Sequence, residues 1–69
     1  MTTNFINNLK EVREFLGLTQ SELARRTGLQ PSAINHFEAG RREPTMQNLV
    51  KLAEGLGVTT DRLLFGVKK

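Results

Sequence analysis

The sequence predicts an all-α fold, a bundle of five helices, on three observations. Apolar residues recur at helical rather than alternating spacing along most of the chain. Threonines precede three of those runs, at Thr19, Thr45 and Thr59, where a hydroxyl can accept from the free N–H groups of a first helical turn. Glycines close the runs at Gly17, Gly28, Gly40 and Gly57. With 69 residues, the chain is expected to be one domain, 1–69, with a core only marginally large enough for stability.

Helix one is expected from Asn4 to Leu16, with Phe5, Leu9, Val12 and Leu16 inward, Gly17 as cap and Leu18 as its hydrophobic follower. Thr19 and Glu22 form a capping box that opens helix two, which ends near Thr27. Leu23 and Thr27 lie on its inner face, with the small Ala24 between them where a second helix can cross closely. Gly28 falls where a tight turn needs a positive φ. Helix three should run from Pro31 to about Ala39, with Ile34 and Phe37 inward, because proline at the first helical position loses no hydrogen bond. Gln30 is a poor N-cap, so either this helix begins frayed or Gln30 reaches outward to a partner. Gly40 closes the helix, and Arg41 to Pro44 form a basic loop. Helix four follows Thr45, with Leu49, Val50 and Ala53 inward, and ends at Gly57. Thr59 caps a last short helix carrying Leu63 and Leu64, with Asp61 in its first turn, where the helix dipole favours an anion.

Composition removes several classes of function. There is no cysteine and one histidine, so neither disulfides nor a zinc cluster is expected. His36 lacks a cysteine partner, the serines open helices without a nearby base, and Gly55-Leu56-Gly57 ends a helix rather than cradling phosphate. An enzyme is therefore not expected, and neither a cofactor nor a small-molecule ligand is evident. The first twenty residues mix charge with apolar positions, unlike a signal peptide, and nothing approaches a membrane span, so a cytoplasmic location is expected. The net charge of +3 and pI near 10.0 favour a polyanionic partner.

Two helices joined at Gly28 form a unit whose second helix can enter the DNA major groove. Thr19-Gln20, Glu22-Leu23-Ala24, Gly28, Ile34, Glu38 and Gly40 match in order and spacing the helix-turn-helix of the phage Cro and lambda-repressor family, the XRE-type regulators. Leu49, Leu52-Ala53, Leu56-Gly57-Val58 and Leu63-Leu64 continue the match over nearly the whole chain. The resemblance implies a five-helix domain with its helix-turn-helix core at 19–39, binding double-stranded DNA as a transcriptional regulator. Repressors of this kind usually occupy palindromic operators as homodimers. Some relatives of the fold instead act as protein-interaction adapters or antitoxins, and the chain could also be the DNA-binding part of a longer regulator.

On the second helix, Ser32, Ala33, Asn35 and His36 are the candidates for base edges, since they lie away from Ile34 and Phe37. Asparagine can make two bonds to adenine, and Ala33 could meet a thymine methyl. Gln20, Gln30, Arg41 and Arg42 are the candidates for backbone or auxiliary contacts. Arg25 and Arg26 lie more than about 100° around helix two from Gln20 and read as a solvated face. The resemblance further implies an ion pair between Arg13 and Glu38 that joins helix one to helix three. Leu64, Phe65 and Val67 are the candidates for a dimer interface. Phe65 either marks that interface or folds back onto helix one.

Overall fold

A computed structural model describes residues 3–66 and shows five helices in the expected order: α1 (Thr3–Phe15), α2 (Gln20–Thr27), α3 (Pro31–Glu38), α4 (Met46–Leu56) and α5 (Thr60–Phe65). There is no strand among the described residues. No helix among them is long and apolar enough to cross a membrane. Val67, Lys68 and Lys69 lie outside the described residues.

The helix starts follow from local chemistry. The Thr19 hydroxyl accepts from Glu22 N at 3.0 Å, and Glu22 Oε1 accepts from Thr19 N at 2.9 Å, which completes the capping box. These contacts, the bond from the Thr19 backbone foremost, hold the Glu22 carboxyl below its ordinary range. Its stabilising contribution is therefore present above that range and is lost as pH falls through the lowered value. Thr45 and Thr59 accept from Asn48 N and Arg62 N in the same way. Gln30 makes no side-chain cap, and α3 begins on Pro31 all the same.

One contiguous core joins all five helices. Phe5, Leu9, Val12, Leu18, Leu23, Ala24, Ile34, Phe37, Leu49, Leu52, Ala53, Leu56 and Leu63 are buried. The second helix of the α2–α3 unit packs on α1, the first packs on α4, and α5 bridges α1 and α4. Two inward expectations fail. Leu16 is 42% exposed because α1 stops at Phe15; the chain turns left-handed at Gly17 and brings Leu18 into the core instead, with Leu18 N donating to Arg13 O. Val50 is 41% exposed. The buried face of α4 is set by Leu49, Leu52, Ala53 and Leu56, and Val50 stands about 100° round from Leu49, on the side away from Leu52. Helix three ends as expected, at Glu38 with Ala39 as cap.

Gly28 has φ +73 and ψ 14, the left-handed region, and a Cβ built there would meet nothing within 4 Å. The need for glycine is thus a backbone need. Gly28→Val should lower stability by ~1–2 kcal/mol through left-handed strain alone. Chemical unfolding measures this, and an unchanged midpoint would remove the turn argument.

Candidate nucleic-acid interface

The outward side of α3 is built on the inward side. Ile34 and Phe37 are buried, which leaves Ser32 and Asn35 exposed and His36 half-buried. Ala33 is half-buried and packs against the core, so one side of its methyl is occupied. Within the His36 ring, Nδ1 is enclosed without a hydrogen-bond partner.

The basic loop continues directly from α3. Arg41 N donates to His36 O at 2.9 Å, which ties the start of the loop to the helix, while the Arg41 and Arg42 side chains are exposed. Gln30, immediately ahead of α3, is exposed as well. At the start of α2, the amides of Gln20 and Ser21 have no intrahelical carbonyl to bond. Arg25 and Arg26 lie on the exposed side of α2, and Arg26 Nη1 turns to Gly55 O at 3.4 Å, towards α4.

Behind α3 lies a polar clamp. Arg13 Nε donates to Glu38 Oε2 at 2.6 Å and Nη2 to Oε1 at 3.0 Å, a two-pronged pair whose side chains are only 11% and 5% exposed. Arg13 Nη1 also donates to Leu18 O at 2.7 Å, so one guanidinium joins α1, the turn before α2, and α3. Its pKa is raised, first by the hydrogen bond to Glu38, against the opposing effect of burial. Gln20 Nε2 donates to Glu38 Oε1 at 3.2 Å, and Asn35 Nδ2 donates to Gln20 Oε1 at 3.4 Å. Gln20 is therefore a bridge between helices as well as a residue at a helix start. Nothing in the sequence announces that contact, since it depends on how α2 and α3 cross.

At the other end of the molecule, Leu63 is buried, Leu64 is half-buried against the core and Phe65 is 67% exposed. Phe65 therefore does not fold back under α1. Asn8 Nδ2 donates to Leu63 O at 3.0 Å and fastens the last helix to the first. Val67, the third residue expected at an interface, lies outside the described residues. Phe15, which the sequence pattern does not single out, is 86% exposed at the end of α1.

A model of the helix-turn-helix family matches residues 9–63, from the middle of α1 to the core leucine of α5. The chain belongs to this helix-turn-helix family. Its members are DNA-binding transcription regulators rather than enzymes, and the chain is a regulator of the XRE, repressor-like type. An HTH-type transcriptional regulator of Sinorhizobium fredii, y4dJ, is 36% identical over 69 residues, covering 90% of each chain. The P22 c2 repressor, solved in complex with a synthetic operator, superposes with a TM-score of 0.86 at 29% identity, over 96% of this chain and 100% of that one. Multiprotein-bridging factor 1 of Candida albicans is 44% identical over 50 residues, which cover 72% of this chain and 33% of that protein.

Proposed function

We propose that the protein represses transcription in the cytoplasm by occupying a palindromic operator in double-stranded DNA as a homodimer, with residues 1–69 acting as a single DNA-binding domain. The observation that carries this reading is the outward polar face of α3, the exposed Ser32 and Asn35 with the half-buried His36, held by the Arg13–Glu38 clamp beside the exposed Arg41 and Arg42. Ser32, Asn35 and His36 would meet base edges, with Ala33 offering one side of its methyl to a thymine. Arg41, Arg42 and the start of α2 at Gln20 would contact phosphate, with Gln30 alongside as an auxiliary contact. Leu64, Phe65 and Val67 would form the two-fold contact, for which the exposed ring of Phe65 is the support.

Base readers and phosphate binders separate by salt and sequence. Arg42→Ala should weaken binding to every sequence alike and reduce the salt slope by about one. His36→Ala or Ser32→Ala should instead change the preference at one or two base pairs by roughly 1–3 kcal/mol. Fluorescence anisotropy over a salt series measures both effects. Uniform loss in the His36 variant, with its preferred site unchanged, would show that this residue reads no base.

The similarity to a multiprotein-bridging factor supports a second reading, a protein-interaction adapter on the same fold. An adapter would show a shallow salt slope and no preferred site, whereas an operator binder shows both strongly.

A further inference from the structure

We propose that Asn35 reads an adenine and that a hydrogen-bond chain running from α1 through Glu38 and Gln20 turns its amide to do so. This rests on the operator reading above. The chain admits one polarity. The Glu38 carboxylate receives Arg13 on both oxygens and has no hydrogen to give, so Gln20 must turn Nε2 towards it. Gln20 Oε1 is thereby directed the other way, where it accepts from Asn35 Nδ2. One amide hydrogen of Asn35 is thus committed to Gln20.

With the hydrogen anti to Oδ1 given to Gln20, what remains on Asn35 is Oδ1, an acceptor, and the syn hydrogen of Nδ2, a donor, side by side on one edge of the amide. In the major groove, adenine offers the matching pair, the N6 amino hydrogen and the N7 acceptor. Guanine offers two acceptors there, thymine an acceptor, and cytosine a donor without an adjacent acceptor. A free asparagine could turn its amide over. Here that rotation would set Asn35 Oδ1 against Gln20 Oε1, two acceptors facing each other. Asn35 is the contacting residue and Gln20 the positioning residue. Arg13 and Glu38 set the direction of the whole chain from the far side of α3.

The test uses the full chain and a site selected by the unaltered protein from random DNA. One position in each half-site should require adenine. Replacing that base by purine, which lacks the N6 amino group, or by 7-deazaadenine, which lacks N7, should each weaken binding roughly 5–100-fold. Asn35→Ala should level the four bases at that position and at no other. Gln20→Met, which keeps the volume and removes the amide, should reduce the adenine preference at the same position while preferences elsewhere stay as they were, whatever it costs in stability through the lost bond to Glu38. A merely structural or phosphate-binding role for Gln20 would lower the midpoint or the affinity with the adenine preference intact, and that result would overturn the relay. An adenine preference that survives Gln20→Met, or an Asn35 position that is not adenine, would overturn it too. If the unaltered protein selects no site, the operator reading fails and the relay falls with it.

Discussion

Replacing Glu38 by glutamine, or Arg13 by methionine, should each destabilise the protein by ~3 kcal/mol, and making both changes should recover much of that loss. The reason is burial. With side chains 11% and 5% exposed, neither charge can turn to water when its partner is removed. Glu38 would keep only the neutral amide of Gln20, and Arg13 only the carbonyl of Leu18. The intact pair contributes little net stability, because desolvation offsets most of the attraction. Its contribution is geometric: it joins α1 to α3 and sets the angle at which α3 is presented. In a domain of this size each single change should lower the melting temperature by roughly 12–24 °C. Unfolding of the four proteins of the cycle measures the coupling. Additive effects, or single changes costing a few tenths as exposed pairs do, would contradict the clamp.

Gly55→Ala should destabilise by about 2 kcal/mol, although alanine is by far the better helix former. Gly55 lies inside α4, and a Cβ built there would come within 2.6 Å of Thr27 Cγ2 and 3.5 Å of Arg26 Cβ. Thr27 cannot easily swing away. Its hydroxyl donates within α2 to Leu23 O at 2.9 Å, with Ala24 O at 3.1 Å, and accepts from Leu29 N at 3.3 Å, so the rotamer is held by the turn that it stabilises. The added methyl must therefore separate α2 from α4. Thr27→Ser removes the opposing methyl and keeps the hydroxyl, so combining it with Gly55→Ala should restore most of the stability. Urea unfolding of the two single variants and the double measures this. A Gly55→Ala protein as stable as the original would show that the two helices have room to spare.

Features that depend on neighbours along the chain are legible in the sequence. Thr19 and Glu22 meet across one turn, Gly28 answers a local backbone demand, and Ile34 and Phe37 share a face by helical period alone. The pattern misleads where a helix ends or where its buried face is narrower than the period allows. Leu16 fits the α1 pattern but lies past its last turn, and Val50 adjoins a buried residue without sharing its face. Gly55 reads as part of a helix end, since close approach to Thr27 leaves no mark in the sequence around either residue. The Arg13–Glu38 pair is foreshadowed only by family resemblance. Its continuation to Gln20 and Asn35 has no sequence signal at all, because it depends on how α2 and α3 cross.

The central claim, that the outward face of α3 reads an operator, is tested most directly by selecting bound sequences from a random pool of double-stranded DNA. The expected result is enrichment of an inverted repeat whose half-site centres lie about one helical turn (~34 Å) apart. A pool that remains random after repeated selection, with binding that weakens only as salt neutralises phosphate contacts, would contradict it.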